Sequence, residues 1–225
     1  MTTLSTHRFA TRSALDAALE ERLARAIGAA GPSAIMLSGG RTPLAAYRAL
    51  SHRPLHHDVG LRILFSDDRY VPAESDKSNY RHARPLLEAL ALAPQAVVRV
   101  RTELPLEEAA DDYERALAAL LTAGTRIGLG LLGLGADGHT ASLFCAADLE
   151  RARGHLAIAV QRPDGMSGVG VTPQFLAHLA EPLFVVAGAG KHAAVESLMA
   201  RSDTLTAWRA VQGCPKVELW VCEGD

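Results

Sequence analysis

The chain is poor in sulfur. Cys145, Cys214 and Cys222 are its only cysteines, and their spacing matches no zinc or redox motif. An odd and small thiol count excludes a disulfide framework and points to a reducing, cytoplasmic setting. A basic stripe is also missing: the formal net charge is −2, so nucleic acid is not an expected partner. No apolar run approaches the length of a membrane span, and the start, Met-Thr-Thr-Leu-Ser-Thr-His-Arg, does not read as a secretory signal. Repeats, low-complexity tracts and clear linkers are absent. So are Gly-x-x-x-x-Gly-Lys and an acid-followed Gly-x-Gly-x-x-Gly, which removes the usual nucleotide and dinucleotide signatures. What remains is a 225-residue chain, 48% hydrophobic, that can bury a sizeable core and is expected to form one α/β domain over residues 1–225.

Apolar patterns of two kinds alternate along it. Leu15, Leu19, Leu23 and Ile27 recur every four residues, which reads as an amphipathic helix stopped at Gly31-Pro32. Further helices are expected from Pro43, over Asn79–Leu92, over Glu107–Thr122, and after Thr172 and Ala187. Short apolar runs at Ala34–Leu37, Leu61–Phe65, Val97–Arg101, Ile127–Leu134, Leu156–Val160, Val169–Thr172, Leu183–Ala187 and Val217–Cys222 read as strands. Strands separated by helices predict a mainly parallel sheet covered by helices on both faces. Residues Arg162–Gly168 read as the most flexible loop.

Four polar clusters each follow a strand candidate: Ser38-Gly39-Gly40-Arg41-Thr42-Pro43, Ser66-Asp67-Asp68-Arg69-Tyr70, Gly133–His139 and Gly188–Lys191. If those strands are parallel, all four clusters share one carboxyl edge, where open α/β sheets bind ligands. In the first, Gly39 and Gly40 allow a sharp turn. Thr42 is expected to cap the next helix with Pro43 at its first position, leaving free N–H groups as a phosphate seat; the plainer reading is an ordinary turn. In the second, Asp67, Asp68 and Arg69 form either a solvated ion pair or a site that orients hydroxyls and stabilises negative charge. In the third, His139 can take a proton from water while Asp137 orients it or contacts sugar hydroxyls, or His139 caps a helix starting near Thr140. In the fourth, Lys191 at a helix start opposes the helix dipole unless an anion is near, or it simply faces solvent. His52, His56 and His57 read as a wet surface loop, and no residue pattern calls for a metal or a cofactor.

Those clusters, with Val71-Pro72, Ser75-Asp76, Ser78-Asn79-Tyr80 and the string Asp137-Gly138-His139-Thr140-Ala141-Ser142-Leu143-Phe144, resemble the 6-phosphogluconolactonase family. The resemblance runs in order from about Ser5 to Cys222 and implies a Rossmann-like α/β fold. It implies metal-free hydrolysis of 6-phospho-D-glucono-1,5-lactone to 6-phosphogluconate, in the oxidative pentose phosphate pathway, by a monomer or small homo-oligomer. Carried over, His139 is the general base, while Asp137, Asp67 and Arg69 hold the base, the sugar and the developing charge. Ser38, Gly39, Gly40, Arg41, Thr42 and Lys191 bind the substrate and its phosphate. The wider superfamily includes glucosamine-6-phosphate deaminase. Its string after Asp-Gly-His carries an acid that Thr140–Phe144 lacks, and a non-catalytic sugar-phosphate sensor is the other alternative. One departure stands out. The family carries Arg-x-Thr/Ser-x-Thr before the late Gly-x-x-Lys, whereas this chain reads Gly168-Val169-Gly170-Val171-Thr172. Arg41, Arg81 or Arg162 is expected to supply the missing charge.

Overall fold

The computed structural model describes residues 2–224. Ten strands and eight α-helices follow in order: β1 Thr3–Arg8, α1 Arg12–Ile27, β2 Ser33–Leu37, α2 Leu44–Ser51, β3 Arg62–Phe65, β4 Asp67–Arg69, α3 Asn79–Ala89, β5 Val97–Val98, α4 Leu106–Thr122, β6 Arg126–Leu132, α5 Ala146–Arg151, β7 Ala157–Gln161, β8 Ser167–Val171, α6 Pro173–Leu176, β9 Glu181–Ala187, α7 His192–Met199, α8 Thr206–Val211 and β10 Lys216–Cys222. Seven strands form one sheet in the order β1-β10-β9-β6-β2-β3-β5, and every pairing in it is parallel.

Successive residues of the central strands feed two different cores, which is why those strands are apolar throughout. In β2, Ile35 and Leu37 pack with the Leu15-Leu19-Leu23-Ile27 stripe of α1 and with Tyr47 of α2. Ala34 and Met36 point the other way, toward Tyr113 and Leu117 of α4. The expected parallel sheet covered on both faces is therefore what forms.

The chain winds β2-β3-β5 toward one edge and β6-β9-β10 toward the other. The reversal falls between β2 and β6, so the loops after those two strands border the crevice where such sheets bind ligands.

Several expectations are corrected. Asp67–Arg69 is not a loop but β4, which pairs antiparallel with β8; β8 pairs antiparallel with β7, making a second sheet of three strands. Residues Arg162–Gly168, read as the most flexible loop, close the β7–β8 hairpin: Arg162 N–H donates to the Met166 carbonyl at 2.9 Å. The strand expected over Val97–Arg101 keeps only Val97 and Val98. The polar edge strand β1 and the short helix α5 carry no periodicity strong enough to be seen in sequence. No helix starts at Thr140; a tight turn closes there instead, with the Leu143 N–H on the Thr140 carbonyl at 2.7 Å.

Candidate active site

The turn after β6 is built around an acid–imidazole pair. Asp137 Oδ1 lies 2.6 Å from His139 Nδ1 and also accepts the His139 N–H at 3.3 Å. The turn is pinned by the Gly135 N–H on the His139 carbonyl, 2.8 Å, and by Thr140 Oγ1 on the Gly133 carbonyl, 2.8 Å. Burial pushes the Asp137 carboxyl up, but the hydrogen bond and charge of His139 outweigh it and hold that carboxyl below its ordinary value. With Nδ1 engaged, Nε2 is the nitrogen left for a ligand. The Phe144 ring lies against the imidazole, centroid to centroid 4.3 Å.

Ala141 and Ser142 continue this turn with φ of 48° and 57°, both left-handed and neither glycine. Such a backbone costs about 1–3 kcal/mol per residue and persists only where its surroundings hold it. Here it lets Ser142 Oγ donate to Asp67 Oδ2 at 2.6 Å, tying the third polar cluster to the second. It also brings the Ala141 carbonyl so close to Gly170 that a Cβ there would collide with it. The glycine in place of a hydroxyl residue at position 170 thus has a steric reason.

Asp67 and Arg69 reach the site from β4. The buried Asp68 between them turns the other way and accepts from the N–H groups of Arg69, Asn79 and Tyr80 at 2.8, 2.7 and 3.1 Å. Asp68 so fixes the start of α3 and places Asn79, whose Nδ2 donates to the Asp67 carbonyl at 2.9 Å. Its Oδ1 is buried without a partner and faces Gly39. Arg69 Nη1 donates to the Lys77 carbonyl at 2.9 Å, while its Nε is buried unpartnered.

The glycine loop after β2 differs from expectation in one respect. Thr42 does not cap α2: Pro43 is the cap residue, with no side-chain capping bond, and the helix starts at Leu44. Arg12 explains the geometry. Its Nη2 reaches from α1 to the Thr42 carbonyl at 2.9 Å and braces the loop.

All of these groups meet. One cavity of about 500 Å³ is lined by Ser38, Gly39, Gly40, Arg41, Thr42, Asp67, Arg69, His139 and Lys191, nine of the ten residues the sequence singles out. The tenth, Asp137, stands behind His139. Five cationic side chains line it, Arg12, Arg41, Arg69, Arg162 and Lys191, against one carboxylate, Asp67. Arg81, one of three candidates for the missing charge, is not among them and pairs instead with Asp76. Sequence reasoning missed Arg12 altogether, because nothing in the apolar period of α1 marks its first residue. Asn79, Ser142 and Phe144 stood inside recognised motifs without a role.

A doubly wound α/β sheet with a strongly cationic, histidine-bearing cavity at its topological switch is the class of protein that fold and site define. The chain matches the family described as glucosamine-6-phosphate isomerases/6-phosphogluconolactonase over residues 7–218, and it belongs to that family. A 6-phosphogluconolactonase of Thermotoga maritima is 37% identical over 132 residues, 58% of this chain and 57% of that protein. That of Treponema pallidum is 35% identical over 184 residues, 77% of this chain and 76% of that protein. The aligned segment thus spans little more than half of the Thermotoga relative. The crystal structure of the Thermotoga maritima 6-phosphogluconolactonase superposes with a TM-score of 0.83 at 26% identity, covering 98% of this chain and all of that one.

Proposed function

We propose that this protein hydrolyses 6-phospho-D-glucono-1,5-lactone to 6-phosphogluconate, the reaction for which those relatives are named, and so serves the oxidative pentose phosphate pathway. The observation that carries this reading is the pairing of an acid-oriented imidazole with a cavity of five cations and one carboxylate.

Asp137 keeps the proton of His139 on Nδ1, so Nε2 accepts a proton from water as the water oxygen attacks C1 of the lactone. The carbonyl electrons move onto oxygen, and Arg69 stabilises that charge. Collapse of the tetrahedral adduct breaks the bond from C1 to the ring oxygen, which leaves with the proton held by His139. The new carboxylic acid then ionises, so each turnover releases one proton. Asp67, held by Ser142, takes sugar hydroxyls. The glycine loop and Lys191 hold the phosphate, where backbone N–H groups and a lysine suit an anion. Because a strained lactone opens readily unaided, much of the binding serves positioning.

Proton release from freshly made 6-phosphogluconolactone tests the reading. Wild-type protein is expected to accelerate it well above the spontaneous rate, and His139→Ala to lose about 10²–10⁴-fold in kcat while the circular dichroism spectrum is kept. A His139→Ala protein with full activity overturns His139 as the base. Ammonia release from glucosamine 6-phosphate, with no lactone turnover, would assign the chain to the deaminase branch instead.

A further inference from the structure

Arg162 is a charged group with almost no water of its own. Only 9% of its side chain is exposed, yet it sits at the mouth of a hairpin and lines the cavity. Its Nη1 donates to Ser142 Oγ at 3.0 Å, the same hydroxyl that donates to Asp67. Its Cζ lies 5.1 Å from the centroid of the Phe144 ring, which also contacts His139. Its stem runs beside Gly168: a Cβ at 168 would crowd the Asp68 carbonyl at 3.1 Å and lie in ordinary contact with Arg162 Cδ at 3.5 Å. Gly168 is in register with Arg69 on β4, so the two arginines flank the same glycine.

The remaining edge of the guanidinium, Nε and Nη2, is taken by Asp164, at 3.3 and 3.1 Å to the same carboxylate oxygen. Asp164 stands at the hairpin tip with 44% of its side chain exposed. The pair is therefore lopsided. Separating it leaves Asp164 to water and to the Met166 N–H it already accepts at 3.2 Å, but leaves Arg162 an unpaired, nearly buried cation, which is unfavourable unless another anion arrives. A fork that fits a carboxylate also fits two oxygens of a phosphate, which carries about two charges rather than one.

We propose that Arg162 is a phosphate ligand of the cavity, acting beside Lys191 and the glycine loop, and that Asp164 holds its fork until the substrate phosphate displaces it. The proposal rests on the sugar-phosphate reading of the site and assigns two residues to its selectivity. Asp164 is then a resident competitor. Its presence raises the threshold for weakly bound anions, and its removal tightens anion binding, whereas removal of Arg162 loosens it. A purely structural ion pair behaves differently, since loss of either partner disturbs the same hairpin in the same direction.

The test compares wild type, Arg162→Ala, Arg162→Gln and Asp164→Asn. Arg162→Gln keeps a polar stem over Phe144 while removing the charge, so it covers the case in which Arg162→Ala fails to fold. Calorimetric titration with inorganic phosphate needs no turnover. Binding is expected to weaken about tenfold or more in the Arg162 variants and to tighten several-fold in Asp164→Asn. With lactone as substrate, the Arg162 variants are expected to raise KM for the phosphorylated ester far more than for free gluconolactone, with a smaller change in kcat. Phosphate affinity unchanged in Arg162→Gln, or weakened equally in Asp164→Asn, overturns the proposal. A wild type that binds phosphate in this pattern but hydrolyses neither lactone overturns the lactonase reading and leaves the Arg162 assignment standing.

Discussion

A methyl group has nowhere to go at position 135. A Cβ there would overlap His139 Nδ1 and Asp137 Oδ1, the two atoms of the acid–imidazole contact. Both are side-chain ends, so the strain of Gly135→Ala is relieved by displacing them rather than by moving backbone. Gly135→Ala is therefore expected to keep its melting temperature within a few degrees while kcat falls about 10²-fold, the scale on which a misplacement of about an ångström acts. Steady-state kinetics beside a thermal melt checks this; a fully active Gly135→Ala would mean that the pair does not need its observed geometry. The candidate residues were legible at this scale because reactive side chains in a glycine turn after an apolar strand are a local pattern. Arg12 and the position of Arg162 against Ser142 and Phe144 were not. Both depend on which stem reaches the cavity across a fold, and residue order says nothing about that.

Among the elements, the three-residue strand β4 is the least conspicuous and places the most. Asp68 within it is 2% exposed and accepts from Ser78 Oγ as well as from three backbone N–H groups. Burial pushes its carboxyl up, the backbone bonds from Asn79 and Tyr80 pull it down, the charge of Asp67 raises it again, and the outcome is a value above the ordinary one. An asparagine would present one oxygen and an NH₂ to a set of donors. Asp68→Asn is expected to cost about 2–3 kcal/mol in urea unfolding, because buried N–H groups lose their acceptor. A change within about 0.5 kcal/mol would show that the cluster does not hold the start of α3. Long apolar strands and the α1 stripe were readable because burial on two faces or one imposes its own periodicity. The strand β4 was not, since Asp-Asp-Arg becomes a strand only when β8 arrives from a hundred residues away to pair with it.

For the whole molecule, charge is distributed unevenly: five cations against one carboxylate in the cavity, within a chain of net charge −2. Salt screens such a field over a Debye length of about 10 Å at 0.1 M. KM for the phosphorylated lactone is expected to rise several-fold between about 0.05 and 0.5 M sodium chloride, with KM for free gluconolactone nearly flat. Equal salt responses would mean that the cavity does not attract its ligand through charge. The amino-acid order by itself determined which runs are buried, that strands and helices alternate, and which turns carry reactive groups, because burial and turn chemistry are set by neighbours along the chain. Only the folded arrangement decided that β4 joins β7 and β8 in a second sheet, that Ser142 ties Asp67 to the His139 turn, and that Arg162 lies against Ser142 and Phe144. The β4–β8 pairing and the Ser142–Asp67 bond join segments far apart in the chain, and such partners are chosen by packing.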